Sequence, residues 1–154
     1  MKNSLFLFLS IIFFACSSDK TTTDEPKTID SIVGIWTELG RGDVLDDGTD
    51  QFSEYNYFCA TLGRYSFEAD GTFRIETFDG PDDNCSSTGV LTGKWENTEE
   101  RYLISVVTDT SNESAAGQES NIEIEFPTDS LMQWIFQVDS PSIDYEYELF
   151  TRVE

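Results

Sequence analysis

The sequence predicts an all-β fold: an up-and-down antiparallel barrel of about eight strands over residues 32–154, behind an apolar N-terminal segment and a polar tether. Three observations predict it. Apolar residues recur at every second position in short runs, the spacing of strands with one buried and one wet face. No window sustains the three-to-four spacing of an amphipathic helix. Long and short connections alternate between the runs, as in a meander whose successive turns lie at opposite ends of a barrel. An open sandwich satisfies the alternation as well, and is the second architecture it allows.

Residues 1–15 read as an export signal. Lys2 gives a positive start, and Leu5 to Ala15 is apolar apart from Ser10. About 11 apolar residues fall short of the roughly 20 that span a bilayer. Cys16 follows the small Ala15 and opens a polar stretch, so the segment resembles a lipoprotein signal cut before Cys16, whose thiol is then acylated. Residues 16–31, with Thr21, Thr22, Thr23 and Pro26 and Ile29 as their lone aliphatic, read as the lipidated cysteine and a flexible tether. Ser17 after the cysteine leaves no inner-membrane retention signal. The resemblance to lipoprotein signals then implies an outer-membrane address, on the periplasmic or the cell-surface side.

The strands are expected at 33–39, 57–68, 72–78, 89–96, 102–108, 121–126, 132–138 and 145–152. Phe73 and Ile75 alternate with Arg74 and Glu76. Ile122, Ile124 and Phe126 alternate with Glu123 and Glu125, and Tyr145, Tyr147 and Leu149 with Glu146 and Glu148. Tight turns are expected at Ala69-Asp70-Gly71, around Asn97, and at Pro127-Thr128-Asp129, and long connections at 40–56, 79–88 and 109–120, with a shorter one at 139–142. By parity, the first strand starts and the last one finishes at the tight-turn end. The tether then joins the closed end, and the long loops form a mouth facing away from the membrane. Cys59 and Cys85 both fall at the mouth and, in an oxidising compartment, are expected to pair. Closing a loop of about 27 residues stabilises a fold by roughly 3.5 kcal/mol in the chain-entropy picture.

Charge limits the partners. The chain carries 30 acidic residues against 9 basic ones, −21 net, and loss of Lys2 with the signal makes it −22. Such a surface repels nucleic acid and anionic head groups. It permits basic proteins, cationic small molecules and divalent metal. The long connections are rich in carboxylates, with Arg41 as their one basic residue, so an acidic rim is expected at the mouth. Asp43, Asp47 and Glu54 half-match a calcium loop, although Leu45 stands where an oxygen ligand belongs, and Asp79, Asp82 and Asp83 could wrap the same ion. Calcium apart, no cofactor is implied. The chain has no His to activate a nucleophile, no G-x-S-x-G elbow and no phosphate-binding glycine loop, so an enzyme is not expected.

Gly34-Ile35-Trp36 resembles the G-x-W signature of lipocalins. That resemblance implies a Trp plugging the closed base and an Arg late in the last strand stacking over it, which Arg152 matches in place. The chain is also similar to lipocalin-like domains of small bacterial lipoproteins, in Phe67-Glu68-Ala69-Asp70-Gly71-Thr72-Phe73 and in Gly93-Lys94-Trp95. It lacks the helix after the barrel and the T-D motif of animal lipocalins. Tyr65, Phe67, Phe73, Trp95, Tyr102, Trp134, Tyr145 and Tyr147 are the candidate ligand-lining residues, although Trp36, Trp95 and Trp134 suit core packing first. So many large rings predict a mostly filled interior under a shallow cup.

The reading that follows is a monomeric, lipid-anchored envelope protein that binds a small or cationic ligand at an acidic open end. An acidic inhibitor or immunity-type lipoprotein that captures a basic protein is the alternative, with a structural envelope lipoprotein as the third reading.

Overall fold

The structure, a computed structural model, describes residues 28–81, 84–99, 101–111 and 115–153. The expected signal, Cys16, most of the tether, Asp82 and Asp83 lie outside the described residues.

Among the described residues nine antiparallel strands follow one another: β1 (Gly34–Leu45), β2 (Asp50–Glu54), β3 (Arg64–Phe67), β4 (Thr72–Asp79), β5 (Ser86–Asn97), β6 (Tyr102–Asp109), β7 (Glu119–Thr128), β8 (Leu131–Gln137) and β9 (Ile143–Val153). β1 pairs along one edge with β9 and along the other with β3, so β1 and β3 to β9 close into a ring of eight. Closure of the last strand onto the first excludes the open sandwich. β2 lies outside this count. It continues along the β3 edge of β1, nearer the mouth, from Gly40 opposite Glu54 to Val44 opposite Asp50.

Two expected elements are corrected. Residues 40–56, expected as a long loop, are the second half of β1 and the hairpin return through β2. Every residue of β2 is exposed, so no buried face imposes an apolar alternation there. Residues 57–68, expected as one strand, form a 3-10 turn (Ala60–Leu62) and then the short β3. The aromatic pair Tyr57 and Phe58 mimics a strand in the sequence, but the two are 43% and 50% exposed. The backbone is instead gathered by the Cys59–Cys85 disulfide, Cα to Cα 5.4 Å, and by the Tyr57 hydroxyl, which donates to the Asp79 carboxylate.

The tight turns share one end with residues 28–33. Asp70 accepts from the Thr72 amide at 3.0 Å, and Gly71 takes a φ of +83° in the turn that sequence predicted. Asp30, just before the barrel, accepts from the Tyr102 hydroxyl and from the Asn97 side chain, both at 2.7 Å. The disulfide and the β1–β2 hairpin lie at the opposite end.

The closed half is packed solid. Ile32, Trp36, Phe67, Met132 and Phe150 are fully buried there. Phe150 meets Tyr65 edge-on at 4.8 Å and Trp134 at 5.1 Å, and Phe67 lies 6.0 Å from Phe73. Trp36 spends its indole N–H on the Ile32 carbonyl at 2.8 Å, so no polar atom of that ring is orphaned.

Candidate functional site

Strand parity decides what faces the open half of the barrel. Phe150 is part of the core and Arg152 lies over Trp36, so the even-numbered residues of β9 face inward, and these include Glu148 and Glu146. Along β1, Trp36 and Glu38 face inward. A register shift between Glu38 and Gly40 then puts Arg41 opposite Glu148 and Asp43 opposite Glu146. From β8 come Trp134, opposite Glu148, and Phe136, opposite Glu146. The interior therefore changes character along its axis, from aromatic at the base to carboxylate-lined at the mouth.

Arg41, Gly42, Asp43, Phe136, Glu146, Tyr147 and Glu148 line a cleft of about 250 Å³ in this open half. Beside it, Glu38 accepts a hydrogen bond from the Tyr65 hydroxyl at 3.3 Å and another from Tyr55. Burial pushes the Glu38 carboxyl up, against the pull of these two hydroxyls and of Arg41. Burial, reinforced by the charge of Glu38, pushes Glu148 up to about 7, and Arg41 offsets only part of this. Tyr65 is also pushed up, by its own burial and by the charges of both carboxylates. Among the described residues the ion pairs are Arg74–Glu76 at 2.7 Å and Arg101–Glu123 at 3.3 Å, so neither inner carboxylate has one.

Trp134 adds a second unsatisfied group. Its side chain is 8% exposed, and its indole nitrogen is the one buried side-chain nitrogen or oxygen without a hydrogen-bond partner among the described residues. An unpartnered buried donor costs on the order of 1–3 kcal/mol, and this one is enclosed by the core rather than open to the cleft.

The residues singled out in the sequence separate into four groups. Phe67 and Phe73 are sealed in the core. Trp95 and Tyr102 lie toward the base, with the indole donating to the Glu68 carbonyl at 3.1 Å and the phenol to Asp30. Tyr65 and Trp134 belong to the same core and do not line the cleft, although the Tyr65 hydroxyl reaches Glu38. Tyr145 and Tyr147, expected inside, are on the outer face, because they share it with Val44 and Gly42 across the ladder. Tyr147 lies across Gly42, where a Cβ would collide with its ring. It stacks on Phe52 at 6.3 Å and 5° and donates to Asp50 at 2.7 Å.

At the base, Gly34 has a φ of +147° and leaves room for the Arg152 guanidinium, which a Cβ there would strike. The half-matched calcium loop is the β1–β2 hairpin. Asp43 faces Gln51 inside, Glu54 lies opposite Gly40 at the far end of the ladder, and Asp47 at the tip accepts from the Thr49 amide at 2.9 Å. Asp79 is engaged by Tyr57. Among the described residues no three acidic, His or Cys side chains gather as a metal cage.

Sequence reasoning missed Glu38, Arg41, Tyr55 and Glu148. For Glu148 the signal was present: an Arg152 stacked on Trp36 fixes the even-numbered residues of the last strand as inward.

No family model matches the chain, and no curated protein matches it in sequence. Among solved structures it is similar to a lipocalin-like protein from Bacteroides uniformis, with a TM-score of 0.50 and 14% identity, over 80% of this chain and 100% of that one. A protein from Bacteroides eggerthii aligns at a TM-score of 0.45 and 15% identity, over 77% of this chain and 98% of that one. The fold is thus lipocalin-like, and at this identity the likeness extends to fold alone.

Proposed function

We propose that this chain is a lipid-anchored envelope protein that binds a small cationic ligand at the open end of a lipocalin-like barrel and catalyses no reaction. The observation that carries the reading is the carboxylate-lined interior of the open half: Asp43, Glu146 and Glu148 line the cleft, Arg41 is its one cation among the described residues, and Glu38 faces inward closer to the base. An apolar cargo suits this interior poorly. The closed half is filled, and a cleft of about 250 Å³ is smaller than the roughly 300–1,000 Å³ usual for drug-sized ligands. A cation gains from the unpaired carboxylates what a neutral molecule does not. The anchor is Cys16, outside the described residues. The tether it heads leads to the tight-turn end, which leaves the acidic mouth facing away from the membrane.

The test has two parts. Calorimetric titration with cationic and neutral amphiphiles of equal size should give heat for the cations alone, and weaken as salt rises. Radiolabelled palmitate should be incorporated by the natural chain and not by Cys16→Ser.

A second reading, capture of a basic protein, is favoured by one observation. The β1–β2 hairpin projects Asp46, Asp47, Asp50 and Glu54 into solvent, all exposed. Reversing those four charges should abolish binding of a tetralysine peptide if the hairpin is the contact surface, and leave it intact if the interior is.

A further inference from the structure

We infer that the free edge of β2 docks an extended, basic segment of a partner protein as a further antiparallel strand. That segment carries a cation, an apolar side chain and a second cation at alternate positions. The inference rests on the second reading above, capture of a basic protein, and names the mode of capture and the pattern recognised. Among the described residues every strand of the ring has a strand on each side, whereas β2 has one neighbour, β1. All five residues of β2 are exposed, and its ladder to β1 runs without a register shift. Edges of this kind are commonly blunted by proline, lysine or a bulge, and β2 has none of the three.

Hydrogen bonds at the two ends of the hairpin fix which backbone groups are free. The Leu45 amide donates to the Thr49 carbonyl, and the Tyr55 amide to the Leu39 carbonyl, both at 2.9 Å. Bonded and unbonded pairs alternate along an antiparallel ladder, so Gln51 and Ser53 bond to β1. Asp50, Phe52 and Glu54 therefore turn their N–H and C=O groups to the open side. Their side chains share the outer face, opposite Val44, Gly42 and Gly40. Phe52 is 41% exposed, with Tyr147 stacked along it. Asp50 accepts from the Tyr147 hydroxyl through one oxygen, which leaves the other to an incoming donor. Neither Asp50 nor Glu54 has an ion pair among the described residues.

Charge chooses the occupant. Residues opposite one another in an antiparallel pair share a face, with Cβ atoms about 5 Å apart. The strand that fits sets an apolar residue across Phe52 and a Lys or Arg across each of Asp50 and Glu54. A second copy of this chain, paired about Phe52, would set Asp50 of each chain against Glu54 of the other, on chains of net charge −21. A neutral strand gains the backbone bonds but leaves both carboxylates unanswered. In such strand addition the main chain supplies affinity and the alternate side chains supply specificity.

The experiment titrates the full-length chain with the end-blocked peptide Thr-Thr-Lys-Thr-Val-Thr-Lys-Thr-Thr and follows amide exchange. Protection should rise at the amides of Asp50, Phe52 and Glu54 and far less at Gln51 and Ser53. N-methylation of the valine removes a bond to the edge and should weaken binding about tenfold or more. N-methylation of the threonine after it, whose N–H points away from β2, should change binding by less than about threefold. The double variant Asp50→Lys with Glu54→Lys should shift the preference to the same peptide with glutamate in place of lysine. Near-ultraviolet circular dichroism checks that the variant has folded. Equal binding of the two N-methylated peptides, even protection across residues 50–54, or an unchanged preference in the folded variant overturns the inference. If it falls in this way while tetralysine binds and is lost on charge reversal of the hairpin, capture of a basic protein stands on charge alone. If neither peptide binds, both fall.

Discussion

The guanidinium carbon of Arg152 lies 4.2 Å from the centroid of the Trp36 ring, and its three nitrogens donate to the carbonyls of Val33 (2.7 Å), Ser31 (2.9 Å) and Asp129 (3.0 Å). One side chain thus ties the start of the first strand, the segment before it and the last tight turn. Arg152→Ala removes a cation–π contact and three charge-assisted hydrogen bonds, and should cost about 2–4 kcal/mol in urea unfolding. Arg152→Lys keeps the charge but not the planar fork, and should cost roughly half of that. Arg74→Ala, which breaks an exposed ion pair, should cost less than about 1 kcal/mol and serves as the control.

Gly42 lets the ring of Tyr147 cross the first strand, and the hairpin return is fastened there by Phe52 and Asp50. Gly42→Ala puts a methyl group into that ring. Tyr147 and Ile135, 5% and 8% exposed, would then lose their cover. The expected cost is about 1–3 kcal/mol. Amide exchange should accelerate across residues 51–54 while β4 to β6 keep their protection, because the collision lies on the outer wall.

The eight ring strands were legible because each buries one face, and burial writes period two into the sequence. β2 buries neither face and wrote nothing. The base was legible from Gly34, Trp36 and Arg152, since a positive φ, a plug and a late cation need those residue types. The charged interior was legible in principle. Parity from Arg152 places Glu148 and Glu146 inside, but the aromatic letters at Tyr145 and Tyr147 suggested the opposite face. Tyr147 is indeed buried, only from the outside, by a flap the sequence did not reveal. The register shift at Leu39, which brings Arg41 and Asp43 into the barrel, has no sequence signature beyond the glycines around it.

Cys59 and Cys85 are joined across a separation of 26 residues, linking the approach to β3 with the β4–β5 connection. Reduction frees that loop in the unfolded chain and should lower the unfolding free energy by about 3 kcal/mol. The dependence on urea should steepen, since the reduced unfolded state exposes more surface. The double variant Cys59→Ala with Cys85→Ala should reproduce the reduced protein, with a further loss for the space left at Cys59, which is fully buried.

Glu148 gives stability a pH dependence of definite sign. Its carboxyl rises from 4.5 in a free chain to about 7 in the barrel, so the folded state holds a proton that the unfolded state has already released. That contribution is fully present below about pH 4.5 and is lost as pH climbs through about 7. The full shift is equivalent to roughly 3 kcal/mol, which solvent at the open mouth reduces to about 1–2 kcal/mol. Glu38 is raised as well and acts in the same direction. Asp47, Asp70 and Asp79 are lowered by bonds from Thr49, Thr72 and Tyr57, so they act oppositely and only below about pH 4. Unfolding free energies measured across the window should therefore fall between about pH 5 and 8 in the natural chain. In Glu148→Gln the slope should flatten, with higher stability at the alkaline end, because the amide removes a charge the barrel holds unpaired. A slope unchanged by that substitution would mean that Glu148 ionises freely, and that the mouth is wetter than its geometry implies.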